Sequence, residues 1–312
     1  MSEKLPLSAR LPSAAGWTPP PLPEDLPGGD MPGDKIRIGE EHVRKASLLF
    51  PRLIEALRDC AGEKAVVFVF GGSGVGKSEI ASLLSWYLRQ AGLGSYVLSG
   101  DNYPRRIPLY NDAERLRVFR VGGLQGLLRA GLYSEDVQAR LDALWPEGLD
   151  AEPTETGGKP WLAVYQAGGR DALRAYLGTD LEQDYEELNG ILAAFRRGDS
   201  PVWLKRMGRT EDARWYSAVD VRETDVLLLE WTHGGNPALS GVDLFILLNS
   251  TPEETREHRR SRARDGKTDS AFTTMVLEIE QEELLRAAPK AALILSKAGD
   301  FITAGQVKGG NA

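Results

Sequence analysis

The chain has 312 residues, a formal net charge of −7, one cysteine and three histidines. Its length allows one large domain, or one domain with a sizeable insertion, and its acidic balance gives no support to general nucleic-acid binding. The single cysteine, Cys60, excludes an intrachain disulfide, and no Cys/His cluster has zinc-like spacing.

No stretch approaches the roughly 20 apolar residues that span a bilayer. The start of the chain is polar and Pro-rich and lacks the apolar core of a signal peptide. These absences point to a cytoplasmic protein with neither membrane nor nucleic acid as partner. Residues 1–36 carry "PSAAGWTPPPLPEDLPGGDMPGD", too dense in proline and glycine for regular structure, and are expected as a flexible or wrapped extension. Residues 39–59 have apolar positions at helical spacing, interrupted by Pro51, and predict one helix or two short ones.

"KAVVFVF" at 64–70 is a continuous apolar run rich in β-branched residues, as in a parallel strand buried on both faces. It runs into "GGSGVGKSE", 71–79, and then an amphipathic helix marked by Ile80, Leu83, Leu84, Tyr87 and Leu88. "SYVLSG" at 95–100 predicts a second strand. Helices are expected over 112–145 and 182–197, with a loop at 150–160 and a strand at 201–207. Three further buried strands are expected at 225–230, 243–248 and 291–296, with helices at 252–264 and about 270–286. The alternation indicates an α/β fold with a mainly parallel sheet and helices on both faces.

Gly71, four residues, then Gly76-Lys77-Ser78 match the P-loop pattern GxxxxGK[ST]. Glycines let the backbone wrap an anion so that successive amides point inward, and the helix behind adds its positive end. Gly71, Gly72, Ser73, Gly74, Val75, Gly76, Lys77, Ser78 and Glu79 are therefore the expected nucleotide contacts. Lys77 reaches phosphate and Ser78 ligates Mg²⁺. The strand before the pattern and the helix after it supply the context the motif requires.

Asp101 falls just past the second strand, on the edge where ligands of an open parallel sheet bind. There a carboxylate can accept a proton from an attacking hydroxyl or hold a magnesium-bound water. Glu230 ends "DVLLLE" and is placed as a second acid beside the P-loop. His233 follows it, as an acceptor contact or a structural loop residue. Arg256, Arg259, Arg260, Arg262 and Arg264 crowd one segment, a density that suits nearby phosphate. Tyr103, Arg105 and Arg106, with Lys205, Arg206 and Arg209, are candidates to hold a polar or anionic acceptor.

At these residues the chain resembles the phosphoribulokinase and uridine kinase group of P-loop kinases. "LSGDNY" is similar to that group's strand-end segment with the catalytic base, which carries over to Asp101. "DVLLLEWTHG" resembles its apolar strand ending in an acid, which carries over to Glu230, with Trp231 in place of the glycine expected next. "DLFILLNSTPEETREHRRSRARDG" resembles its strand and Arg-rich lid, one residue longer between the RR and RD pairs. "SGDNYPRR" is also similar to adenylylsulfate kinases.

The resemblance implies a nucleoside-monophosphate-kinase-like P-loop NTPase core over 37–312, a helical insertion at about 112–180 and a lid at about 252–270. It further implies ATP and Mg²⁺, with Ser78, Asp101 and Glu230 as metal contacts. Asp101, Lys77, Glu230, Arg260 and Arg264 are the implied catalytic residues, with Arg262 on the nucleotide. The implied reaction moves the γ-phosphoryl of ATP to a hydroxyl of a sugar, sugar phosphate, polyol or nucleoside. An adenylylsulfate kinase and a nucleotide-switched regulatory ATPase are the alternatives. The expected partners are the small-molecule hydroxyl acceptor and, optionally, a second copy of the chain.

Overall fold

Alternate residues of one central strand face two separate cores, and the rest of the fold is arranged around that strand. The computed structural model describes residues 5–262 and 270–307. In chain order the elements begin with α1 (Leu7–Arg10), α2 (Glu40–Leu57), β1 (Ala65–Gly71), α3 (Lys77–Gln90) and β2 (Ser95–Ser99). A helical region follows: α4 (Pro108–Arg129), α5 (Glu135–Leu144), α6 (Pro160–Tyr176). Then come α7 (Tyr185–Arg197), β3 (Val202–Met207), β4 (Arg214–Val219), β5 (Val226–Trp231) and β6 (Leu244–Leu248). The chain closes with α8 (Arg256–Arg262), α9 (Ala271–Ala287) and β7 (Leu293–Leu295).

Five strands form one sheet in the order β2-β5-β1-β6-β7, and every pairing is parallel. β1 and β5 are buried along their whole length. Val67 and Val69 of β1 pack with α2 and α3 through Leu49, Phe50, Leu53, Leu83, Leu84 and Tyr87. Val66, Phe68 and Phe70 pack on the other side with Leu188, Leu192, Phe195 and Leu284 of α7 and α9. The period of two along a strand divides the residues this way. The P-loop α/β fold expected from the alternation is the one observed. β3 pairs instead with β4 as a separate antiparallel ribbon. β4 has no counterpart among the expected strands, because its mostly exposed residues, RWYSAV, form no continuous apolar run.

The insertion differs in detail from its expectation. Its first helix starts at Pro108, where a proline at the first helical position is tolerated, and not at 112. The stretch 112–145 is two helices rather than one, parted after Arg129, with Ser134 capping α5 through a bond from Val137 N. α6 was not among the expected helices. Its Gly168-Gly169 pair is a poor helix signal, but it faces Gly122 and Gly126 of α4, while Gly123 lies against the Tyr165 ring. A Cβ on Gly122 would lie 2.3 Å from Ala172 Cβ and 2.8 Å from Gly168 O. We expect Gly122→Ala to lower stability by about 1–3 kcal/mol through overpacking, read as a shifted urea midpoint. An unchanged midpoint would show that the two helices tolerate wider spacing.

The Pro-rich extension is wrapped. Leu7 is fully buried and its amide donates to Gly62 O at 3.0 Å. The Trp17 ring lies 4.6 Å from Phe50 and 5.0 Å from Tyr87, and the Trp86 indole N–H donates to Pro21 O at 3.2 Å. Pro51 does not break α2, which continues as one helix through it. Among the described residues no helix is long and apolar enough to cross a membrane.

Candidate active site

The P-loop occupies the turn between β1 and α3. A Cβ on Gly71 would come 2.5 Å from Leu248 O of β6, so the loop's first residue must be glycine. Gly76 has φ 93°, a left-handed conformation that favours glycine, and it caps α3. Gly72, Ser73, Gly74 and Val75 make the bend between them, and Lys77 and Ser78 open the helix. Lys77 Nζ donates to Gly72 O at 3.1 Å, which folds it over the loop. Glu79 is buried in the first turn of α3, beside Gly76.

Parallel pairing brings an acid to this turn. Glu230 of β5 stands in register with Val69 on one side and Ser99 on the other. Ser78 Oγ donates to Glu230 Oε2 at 3.2 Å, and Ser99 Oγ donates to Glu230 Oε1 at 2.6 Å. Asp101 is exposed in the short 3₁₀ turn Gly100–Asn102 that follows β2. Burial, reinforced by repulsion from Asp101 and opposed by Lys77, pushes the Glu230 carboxyl up to about 8. The Ser78 hydroxyl meets Glu230, and Glu230 feels the charges of both Asp101 and Lys77. Such an all-oxygen donor set with a poorly compensated acid suits Mg²⁺, which takes few protein ligands and completes its shell with phosphate and water. Among the described residues no group of three or more His, Cys, Asp or Glu is placed to hold a metal ion.

Facing this centre is a buried polar cluster built from three distant segments. Arg115 of α4 donates to Glu182 at 2.6 Å and lies 3.5 Å from Glu280 of α9. Burial opposes ionisation of Glu182, but Arg115, His233 and the Gly178 amide together hold its carboxyl below the usual range. Glu280 is raised by burial, with Arg115 opposing, and it feels both Lys77 and Asp101. Asn111 Nδ2 donates to Glu182 at 3.2 Å, and Gln183 Nε2 lies 3.0 Å from His233 Nε2. The side-chain carbonyl oxygens of Asn111 and Gln183 are buried without a hydrogen-bond partner.

Four of the basic residues singled out for an anionic acceptor are paired with carboxylates. Arg105 pairs with Asp184 at 3.4 Å, and Arg106 with Glu114 at 3.8 Å. Lys205 pairs with Glu187 at 3.1 Å, and Arg206 with Asp30 at 2.7 Å. Arg209 is exposed, in the turn joining β3 and β4. Tyr103 is fully buried in the core between the sheet and α7, so its ring does not line the open site.

His233 is buried between Gln183 and Glu283, and burial lowers its imidazole to about 4, against the pull of Glu182. The folded chain therefore stays unprotonated there while the unfolded chain takes up a proton near pH 6.5. Stability should fall as pH drops from 6.5 towards 4. Relative to His233→Gln, the loss should reach about 2 kcal/mol by pH 5, seen as a difference in urea midpoints that grows on acidification. A pH-independent difference would place the titration elsewhere.

Trp231 replaces the glycine expected after the acid because Gly100 leaves room for it. A Cβ on Gly100 would come 2.1 Å from Trp231 Cγ. In the Arg-rich segment, Arg259 lies along the P-loop: its Cγ is 3.1 Å from where a Cβ on Gly74 would sit, and its guanidinium donates to Pro252 O at 2.7 Å. Arg260 is exposed on α8, and Arg262 ends that helix. The helix starts at Arg256 rather than at 252. Arg264 and the rest of the expected lid to 269 lie outside the described residues.

No family model matches the chain. It is 34% identical over 285 residues to the bifunctional alpha-galactosidase/sucrose kinase AgaSK of Mediterraneibacter gnavus, a match covering 91% of this chain and 25% of that protein. The chain thus spans about a quarter of the length of this curated relative. Among solved structures, a candidate fructose transport system kinase from Silicibacter sp. TM1040 has a TM-score of 0.48 at 15% identity, covering 83% of this chain and 99% of that one. The D-glycerate 3-kinase of Cryptococcus neoformans has a TM-score of 0.45 at 12% identity, covering 85% and 98%. Each of these proteins is named a kinase.

Proposed function

We propose that the chain is an ATP-dependent, Mg²⁺-requiring kinase that phosphorylates a hydroxyl of a neutral sugar. The observation that carries the reading is the hydrogen-bonded line Ser78–Glu230–Ser99, which ties the P-loop to the strand end presenting Asp101. A P-loop alone serves switches and transferases alike. An exposed strand-end carboxylate beside it supplies what an alcohol acceptor needs.

In this mechanism the P-loop amides and Lys77 bind the β- and γ-phosphates. Ser78 and Glu230, with Asp101 alongside, would hold Mg²⁺, which neutralises phosphate charge. Asp101 accepts the proton of the attacking hydroxyl as its oxygen bonds to the γ-phosphorus, and the bond to the β-phosphate oxygen breaks to leave ADP. Arg259 on the P-loop and Arg260 beside it are the described arginines closest in sequence to a lid role.

Two considerations favour a neutral sugar. The relative's name joins a galactosidase to a sucrose kinase, and glycoside hydrolysis needs a carboxylate pair, not a nucleotide loop. The P-loop therefore aligns this chain with the kinase activity. The polar cluster facing Asp101 also has its cations paired, while Asn111 and Gln183 keep unpartnered carbonyl oxygens suited to sugar O–H donors. Such a cluster offers little to a phosphate or sulfate group, which bears against adenylylsulfate.

The test is purified protein with Mg-ATP and a panel of sucrose, monosaccharides, sugar phosphates, nucleosides, glycerate and adenylylsulfate. ADP release and new phosphorylated mass are read together. We expect a monophosphate of a neutral sugar. Phosphorylation of adenylylsulfate alone would overturn the acceptor class. Acceptor-independent ADP release across the panel would point to the nucleotide switch.

A further inference from the structure

The most completely satisfied buried carboxylate near the site comes from the Pro-rich extension. Asp30 accepts four hydrogen bonds: from Ser99 N at 2.7 Å, Asn102 Nδ2 at 3.1 Å, the Tyr96 hydroxyl at 3.1 Å and Arg206 at 2.7 Å. Ser99 and Asn102 are the residues on either side of Gly100-Asp101. Asn102 Oδ1 in turn accepts from Met207 N at 2.9 Å, which locks the turn to β3. Ser99 is also the donor to Glu230. The preceding residue, Gly29, lies over the same acid, since a Cβ there would be 3.4 Å from Val97 and 3.9 Å from Glu230 Oε1.

Apolar filling does not account for this seat. A cavity of about 150 Å³ remains between the extension and α3, lined by Leu26, Asp30, Trp86 and Tyr96 among others. What anchors residue 30 is hydrogen bonding to a carboxylate that burial makes costly to ionise. A buried charge kept at such cost calls for a reason in specificity rather than in packing.

We propose that Asp30 is a positioning residue for phosphoryl transfer: it clamps both ends of the Ser99–Asn102 turn and thereby fixes where the Asp101 carboxylate stands. The proposal rests on the reading of Asp101 as the base for the acceptor hydroxyl. On this account the extension is part of the active site, although it lies far from the P-loop in sequence. A base misplaced by an ångström loses about 100-fold in rate, so loosening the turn should act on turnover and not on nucleotide binding.

Two variants of the full-length protein test this. Asp30→Asn removes the charge, and Asp30→Glu keeps the partner for Arg206 but shifts the carboxylate by one methylene. Amide hydrogen exchange over 97–103 is measured first, since it needs no substrate. We expect exchange at least about 10-fold faster in both variants, with β1 unchanged; unchanged protection of the turn would overturn the proposal. Kinetics come second. Each variant should lower kcat about 10- to 100-fold with KM for ATP within about twofold, and Asp30→Asn should add less than about twofold to Asp101→Asn. Equal losses from Asp30→Asn in both backgrounds, or a wild-type rate in Asp30→Glu, would reduce Asp30 to a structural residue. Wild-type protein that phosphorylates no acceptor would defeat the kinase reading instead, and the exchange result would still decide whether Asp30 holds the turn.

Discussion

Asp101→Asn is expected to lower turnover on the order of 10²-fold or more while Mg-ATP still binds. Asn keeps the size of the side chain and can still orient a hydroxyl, but it cannot accept the proton. Asp101 is exposed and Asn preserves its shape, so the loss should appear in kcat rather than in stability. The change removes a negative charge beside the proposed Mg²⁺ site but also relieves Glu230 of its repulsive neighbour, so binding of Mg-ATP should weaken by no more than a few-fold. Steady-state rates with a phosphorylated acceptor, set beside equilibrium nucleotide binding, separate the two effects. Turnover within a few-fold of wild type would remove Asp101 from the mechanism.

Arg115→Met should have the largest effect on stability. Arg115 contacts both Glu182, which is fully buried, and Glu280, which is 9% exposed. A methionine fills much of the same space but leaves two buried carboxylates facing each other. Breaking a buried pair in this way costs about 3–5 kcal/mol, because an uncompensated charge remains. The triple change Arg115→Met with Glu182→Gln and Glu280→Gln removes the charges together and should recover most of the loss. Denaturant midpoints for the single and triple variants, at matched m-values, give the comparison. If the triple variant were as unstable as the single one, packing by the arginine stem rather than charge balance would be the cause.

The pairing around Arg115 shows why the buried polar cluster was hard to find in sequence. Its neighbours Glu182 and Glu280 lie 67 and 165 positions away, one in the turn before α7 and one on α9, where the local pattern does not tell either from a solvated acid. Arg105, Arg106, Lys205 and Arg206 were legible as a basic group near Asp101. Their carboxylate partners, which change the meaning of that group from anion-binding to self-neutralised, were not. Asp30 was hidden for a related reason: a Pro- and Gly-rich stretch carries no periodicity, so nothing local tells a wrapped segment from a free one.

What the amino-acid sequence determines by itself is whatever depends on local rules. A run of buried β-branched residues, a glycine-spaced anion loop and an amphipathic helix follow one another, and each needs only its own neighbours. The P-loop residues 71–78, the strand ends at Asp101 and Glu230 and the α/β class were readable for that reason. Tertiary structure decided what depends on approach between distant segments. It paired Glu230 with Ser78 and Ser99 through strand register, closed α4 on α6 through glycines that read as breakers, and seated Asp30 against the turn that carries Asp101. A hydrogen bond or an ion pair is worth most where water is excluded, and only the folded chain shows which groups are enclosed together.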